Sequence, residues 1–518
     1  MDKPKDHLSK TVVIVGAGAS GLSAARSFVE SGKTDIDIII VESSDYIGGR
    51  IKTSSSFIGN GHKIELGAEL IHGNNTRLSR FIEEQGLHLH NNTSSLEPYF
   101  ITAQGDGGPD DQPTKNGMYG AYYLGKEDKI LPFDSTDPDF EHLNETFWRM
   151  CAVDEETFRE ENKITSEQSR KSQKNKNTSS MYQEFPDDEQ KSLHDYLQSK
   201  NISDRMKGLT IAGYANTVGC TDLKRISFAA VKAHERYWET NEESGDFHLH
   251  SKISMGGIVD SFVRLLKHKV SILLNWKVVS IDYSFNRKDI LLRSHNGQQI
   301  NADACIISVP VSIINDEVIE FQPPLPRQKI ESFKMVGMER AMKIILKFNK
   351  KLWPEKLQSI VCSDCEIPEI WFREFRLSDS DNKKPANFNS KNQSTFVAVC
   401  FLTSKYADEL AKHGNQKAVS IAKEQLCKVF RISSEDMNKS YIMYTIFDWK
   451  EHDGIRGGYG YPKVGIQRKH YLCMAENVDE KMFFCGESTH LGAGMTIQAA
   501  MDTGVRAAEE VLKKLYPT

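Results

Sequence analysis

Residues 11–26 read TVVIVGAGASGLSAAR: an apolar, β-branched run breaks into three glycines and then into a helical pattern. Few features restrict a fold so strongly. Gly16 permits a tight turn, Gly18 lets the backbone approach a pyrophosphate, and Gly21 lets the next helix pack on the strand. The helix N-terminus offers unpaired N–H groups and about half a positive charge to a diphosphate. A second apolar run, IDIIIVE, ends at Glu42, where a carboxylate would bind ribose hydroxyls. Strand, glycine turn, helix to about Gly32 and acid, in that order, predict a dinucleotide-binding βαβ unit.

The chain has 518 residues, enough for more than one core, and two domains are expected. Segments 1–90, 252–314 and 449–518 read as one nucleotide-binding domain. It is interrupted by blocks 91–251 and 315–448, which mix helical and strand patterns. Within it, VSILLNWKVVSIDYS (270–284) and NADACIISVPVSII (301–314) read as strands. AQGDGGPDDQPTKNG (103–117) and KITSEQSRKSQKNKNTSS (163–180) read as solvated surface loops, the second with a nuclear-import or regulatory role as its alternative. A formal charge of -5 is too small for a basic nucleic-acid surface. Nine cysteines are scattered singly except for Cys362-Ser363-Asp364-Cys365. No second pair or nearby histidine completes a metal site, so no metal is expected, and the odd count suits reduced thiols. The N-terminus is charged, no run approaches the ~20 apolar residues of a membrane span, and KKLYPT is not a peroxisomal signal. Cytosol is therefore expected, with the nucleus left open.

Further motifs follow the glycine turn in order: Gly48-Gly49-Arg50, IELGAELIHG (64–73), NWKVVSI (275–281), NADACIISVPVSIINDEVIEFQPPLP (301–326), MKIILKF (342–348), FDWKEHDGIRGGYGY (447–461), FFCGEST (483–489) and MTIQAAMDTG (495–504). The series resembles the flavin-dependent amine oxidases from residue 11 to 510, apart from the two loop insertions. The resemblance implies an α/β architecture: a discontinuous, Rossmann-like FAD-binding domain and an α+β substrate domain built on a mixed sheet. It places Gly49 and Arg50 along the diphosphate and flavin, Gly67 and Ala68 in a flavin-contacting loop, and the Val278 backbone at the adenine. Trp449 packs on the flavin, and Gly486 and Glu487 touch the ribityl-diphosphate. Ile497 opens a closing helix whose N-terminus stabilises negative charge on the pyrimidine ring.

Members of this family pass hydride from the carbon beside an amine to flavin N5. The imine is hydrolysed to aldehyde plus amine, and O2 is reduced to hydrogen peroxide. Only a free-base nitrogen can drive hydride loss. By resemblance, Lys343 holds a water against N5; an ordinary strand lysine is the alternative, and Lys347 is expected to be the exposed one. His72 matches a substrate-facing histidine of animal-type polyamine oxidases and could take the proton of an arriving ammonium. Glu69 could attract a cationic tail. Tyr459 supplies one aromatic wall, and Thr496 stands where monoamine oxidases carry a second tyrosine. Gly458 occupies the flavin-tether position, so non-covalent FAD is expected. Thr496 fits both polyamine oxidases and histone demethylases, but the demethylases' extra docking domain and helical insertion are not expected in this chain. His452 and Gln498 depart from the family pattern and are expected near the substrate end. The expected activity is oxidation of polyamines (spermine, spermidine or N-acetyl forms), with O2 as co-substrate and neither nucleic acid nor membrane as partner. One alternative is another amine or amino-acid oxidase, which would need an arginine such as Arg373 for a carboxylate. The other is a silent flavoprotein acting in a complex.

Overall fold

The structure, a computed structural model, describes residues 9–73, 75–91, 119–132, 135–151, 184–240, 246–249, 251–376, 394–492 and 494–517. The stretches 103–117 and 163–180, read above as surface loops, lie outside the described residues. Five strands form a parallel sheet in the order Val270–Leu273, Ile36–Val41, Lys10–Val15, Ala304–Ile307, Met482–Phe484. Continuous Val/Ile runs suit a sheet covered on both faces. On one face Val12 and Ile14 pack with Phe28 of the first helix (Ala19–Glu30), Ile258 and Phe262 of Gly256–Leu266, and Met501 and Ala508 of the closing helix (Ile497–Leu515). On the other face Val13, Val15, Cys305 and Ile307 pack with Ile281, Tyr283 and Phe333. The first and closing helices come so close that a Cβ at Gly504 would run into the Ser20 carbonyl.

A second, seven-stranded sheet has the order Tyr441–Asp448, Ala341–Phe348, Ser394–Thr403, Glu369–Arg376, Leu357–Ser363, Tyr119–Leu124, Lys129–Pro132. It is antiparallel except where Leu357–Ser363 meets Tyr119–Leu124, so it is mixed, as expected. Period-two alternation sorts its strands. From Ala341–Phe348, Met342, Ile344, Leu346 and Phe348 join a core with Ala407, Leu410, Val419 and Leu426 from the helices Ser404–Lys412 and Asn415–Phe430. Ile345 faces the other way, onto Phe57, Ile64 and Leu66 around the hairpin Thr53–Gly59/His62–Glu65. Lys343 and Lys347 share that face.

Two sequence expectations need correction. The stretch 270–284 is divided between sheets: Val270–Leu273 edges the parallel sheet, whereas Val278–Asp282 joins Ile290–Ser294, Gln299–Ala302 and Glu320–Gln322. Asn275 turns the chain between them with φ +56°. In 301–314 the strand ends at Ile307, and Val311–Asn315 is a short helix. Pro310, with φ −59°, is preset to lead into it. Among the described residues, no helix is long and apolar enough to cross a membrane.

Candidate active site

The glycine turn sits at the C-terminal end of Lys10–Val15. Gly16 has φ +111°, outside the range comfortable for other residues. Gly18 precedes the first helical residue with φ −79°, and a Cβ there would meet nothing within 4 Å. Gly21 is the opposite case, because its Cβ would strike the Gly16 carbonyl. No side chain caps this helix, so its N–H groups remain for a ligand. Gly48 bridges to Gly18 and donates to Ala17 O at 2.9 Å, laying the Gly48-Gly49-Arg50 turn against the glycine turn. Glu42 accepts Ala17 N at 2.8 Å on Oε2 and Ser44 N at 2.8 Å on Oε1. Oε2 keeps a lone pair for a ribose hydroxyl.

Arg50 ties three distant segments together. Its Nη1 donates to Gly458 O and to Glu487 Oε1, each at 3.0 Å. The buried Glu487 also accepts Gly460 N at 3.2 Å and Met495 N at 3.1 Å. Gly486, with φ +128°, donates its N–H to Thr503 Oγ1 at 3.0 Å. Ala68 N donates to Arg50 O at 3.1 Å. Trp449 Nε1 donates to Leu66 O at 3.0 Å, and its Cζ2 would lie 2.8 Å from a Cβ at Gly67. Thr496 caps the closing helix by accepting Ala499 N at 3.2 Å, which puts Ile497 at its first turn. Val278 begins its strand and is buried.

Lys343 is 3% exposed and reaches under the 65–69 loop. Its Nζ donates to Gly67 O at 2.9 Å, Glu65 O at 3.2 Å and Glu69 Oε2 at 2.9 Å. Those bonds use all three ammonium donors, so Lys343 can hold a water only by giving one up. Lys347, half-buried, donates to Phe57 O and Ile58 O at 2.9 Å each. Glu69 is shared: Arg373 Nε and Nη2 lie 3.1 and 3.0 Å from its Oε1, while Arg373 Nη1 donates to Phe372 O at 3.0 Å. The carboxylate expected to draw in a cationic tail is thus bound between two cations of the protein itself.

Two further carboxyls surround this group. Burial pushes Glu65 up to about 8, although its Oε1 accepts Met255 N at 2.8 Å. Glu65 Oε2 is buried without a hydrogen bond, as suits a neutral carboxyl. Glu369 lies two strands from Lys343 through Phe401, and burial pushes it up to about 7 against hydrogen bonds from Trp371 Nε1 (2.7 Å) and Asn216 Nδ2 (3.3 Å). The Trp371 ring stacks on Phe401 and lies 5.1 Å from Lys343 Nζ.

Tyr459 donates its hydroxyl to Thr217 O, and its ring packs on Gly219, where a Cβ would lie 2.9 Å from Cε2. His72 lies in the two-residue strand Ile71–His72, and its carbonyl accepts Gln498 Nε2 at 3.3 Å. A protonated His72 would disfavour charge on His234, which burial pushes down to about 4 and which lies 3.1 Å from Gly494 O. His490 acts on the same ring and meets Tyr237 edge-on. His452 needs correction. Its Nε2 lies 3.0 Å from the Tyr46 hydroxyl, which also donates to Gly49 O at 3.0 Å. It therefore flanks the nucleotide turn, and only Gln498 of that pair stands beside His72. Among the described residues no group of three His, Cys, Asp or Glu could hold a metal ion.

A sequence model of flavin containing amine oxidoreductases matches residues 19–512. The chain belongs to that family. It is 24% identical to polyamine oxidase 2 of Arabidopsis thaliana over 97% of this chain and 88% of that protein. It is 23% identical to lysine-specific histone demethylase 2 of Homo sapiens over 98% of this chain but 54% of that protein. A solved putrescine oxidase bound to putrescine superposes with TM-score 0.68 at 15% identity, covering 98% and 99% of the two chains, which shows the shared fold.

Membership in the flavin amine oxidases implies a flavin cofactor, and the residues present fit one. The space over Gly18, the uncapped helix and the spare lone pair of Glu42 suit a dinucleotide. Trp449 is held against the 65–69 loop by its bond to Leu66 O, and Thr496 caps the first turn of the closing helix. Glu65 and Glu369, each near Lys343, and the His72–His234–His490 group were missed from sequence, because single Glu and His residues carry no signal until folding gathers them.

Proposed function

We propose that this flavin amine oxidase binds FAD non-covalently and oxidises polyamines: spermine, spermidine or their N-acetyl forms. FAD, when bound, supplies the two-electron acceptor for hydride from the carbon beside nitrogen and returns the electrons to O2 as hydrogen peroxide. The glycine turn, Glu42, Arg50 and Glu487 would hold it, and Gly458 offers no thiol for a tether. Segments 1–90, 252–314 and 449–518 would serve the cofactor, and 91–251 and 315–448 the substrate.

The Glu69 bridge carries the reading. It fixes Lys343 under the flavin-contacting loop and occupies every nitrogen of Arg373 not already bonded to backbone. The Nε–Nη2 edge of Arg373 is thus already taken by a carboxylate of the protein, with one N–H left on each of Nη1 and Nη2, which counts against an amino-acid oxidase. Thr496 in place of a second aromatic wall counts against an arylalkyl monoamine. The polyamine oxidase names of the plant relatives point the same way. His72 would accept the proton that an arriving ammonium must lose before hydride can leave.

Anaerobic mixing of the purified yellow protein with spermine, spermidine, N-acetylspermine, tyramine and a methyl-lysine peptide tests this. Bleaching of the flavin band by a polyamine is expected. Bleaching by tyramine or the peptide alone would overturn the substrate assignment.

A further inference from the structure

The Cys362-Ser363-Asp364-Cys365 segment is not used by this chemistry, yet its geometry is specific. The strand Leu357–Ser363 ends there, and Cys362, fully buried, donates its N–H to Pro368 O at 2.7 Å. Asp364, with φ +56°, folds the chain back and is paired with Lys126 at 2.8 Å. Cys365 then emerges half-buried between exposed Asp364 and Glu366, with its thiol hydrogen-bonded to that of Cys362. Lys428 of Asn415–Phe430 faces it, along with Tyr123 and Tyr406.

The remaining thiols contrast with it. Cys220, Cys305, Cys400 and Cys485 are buried and pushed upward by burial, Cys400 and Cys485 to about 12. Cys427 is also raised by burial. Among the described cysteines with a resolved shift, only Cys365 is drawn down, first by the hydrogen bond from Cys362 and then by Lys428. Thiolate character and access together set reactivity toward oxidants.

We infer that Cys365 and Cys362 form a peroxide-oxidised dithiol, with Cys365 attacking and Cys362 resolving. The Cys365 thiolate attacks one peroxide oxygen, the O–O bond breaks, and hydroxide leaves and takes a proton as water. Cys365 is then a sulfenic acid. The Cys362 sulfur displaces its hydroxyl, which leaves as water with the Cys362 proton, and an S–S bond forms. Two thiols and one hydrogen peroxide thus give one disulfide and two waters, the pair losing two electrons to the peroxide. The disulfide would close the turn leading into Glu369, which pairs with Val361 across the two strands. Amine oxidation as proposed would release the peroxide locally. The pair's chemistry does not depend on that source.

The test adds hydrogen peroxide to the resting holoenzyme, then denatures, alkylates, digests and weighs the peptides. The peptide carrying both cysteines should escape alkylation, weigh two hydrogens less than the dithiol and be restored by dithiothreitol. In Cys362→Ser, dimedone should label Cys365; in Cys365→Ser, Cys362 should remain an alkylatable thiol. Full alkylation of both wild-type cysteines, while Cys427 or Cys473 is already oxidised, would overturn the inference. That outcome would leave the amine-oxidase reading untouched.

Discussion

Gly18→Val and Gly21→Val separate the space the chain reserves for its cofactor from the space its own backbone fills. At Gly18 the backbone lies at φ −79° and a Cβ meets nothing within 4 Å, so the fold tolerates a side chain. Losing glycine at a helix N-cap costs about 1 kcal/mol. Reduced freedom of the unfolded chain returns about 0.4–1 kcal/mol. The apoprotein should melt within a few degrees of wild type. The valine methyls would instead occupy the volume meant for the diphosphate. Overpacking of roughly 1–3 kcal/mol then falls wholly on binding and weakens FAD affinity about tenfold to 100-fold or more. At Gly21 the added Cβ collides with the Gly16 carbonyl, and backbone cannot swing aside, so the same penalty falls on folding.

The assay is FAD titration of deflavinated protein, read by flavin fluorescence, beside thermal melts with and without FAD. Saturating FAD should raise the wild-type melting temperature, since ligand at about 1,000 times Kd adds about 4 kcal/mol. Gly18→Val should melt normally without FAD and gain little from it. Gly21→Val should be unstable in both conditions. A Gly18→Val protein as yellow as wild type, with unchanged affinity, would refute the placement of the diphosphate.

Lys343→Met should keep its flavin yet turn over slowly with oxygen; leaving Glu69 with Arg373 alone should also cost about 3 kcal/mol in urea unfolding. Adding Glu69→Gln to that variant should cost less than the sum of the separate changes, and simple additivity would show the pair is not coupled. Glu65 holds its proton more tightly folded (about 8) than unfolded (4.5), so its contribution is complete below the unfolded value and falls as pH rises toward the folded one. The slope is about 1.4 kcal/mol per pH unit. Glu65→Gln should flatten urea midpoints between roughly pH 5 and pH 8, and equal pH dependence in both proteins would sink the assignment. His72→Gln should raise KM for spermine about tenfold, the loss of roughly one strong hydrogen bond, without changing the flavin spectrum; unchanged KM would remove His72 from the substrate path.

The strand–turn–helix at residues 10–30 was legible because its signals are local: β-branched run, glycines and helical spacing lie within one window. The Val270–Leu273 strand and the Val311–Asn315 helix were less so, since an apolar run does not disclose which sheet it joins or whether a proline has turned it into a helix. Arg50 and Glu487 were each recognisable by motif, but their ion pair spans 437 residues and belongs to the fold alone. Glu69 was read as a lure for a cationic substrate because its two partners lie 274 and 304 residues away. His452 was misplaced for a similar reason: a departure from a motif marks a difference without saying which side of the cofactor the side chain faces.

The charge around Lys343 shows what that long-range assembly accomplishes. Lys343 and Arg373 bring two positive charges, and Glu69 cancels one. Burial raises Glu65 to about 8 and Glu369 to about 7, which leaves Glu65 mostly and Glu369 about half protonated near neutrality. The resting cluster therefore carries a small positive charge. It is not fixed. A cation nearby favours the charged form of a carboxyl, and Glu369, with the lower of the two values, yields its proton first. Ionising Glu369 brings these five groups to neutrality, and ionising Glu65, which Lys63 also faces, would bring the five to a net negative charge. Glu69 meanwhile stays committed to Lys343 and Arg373.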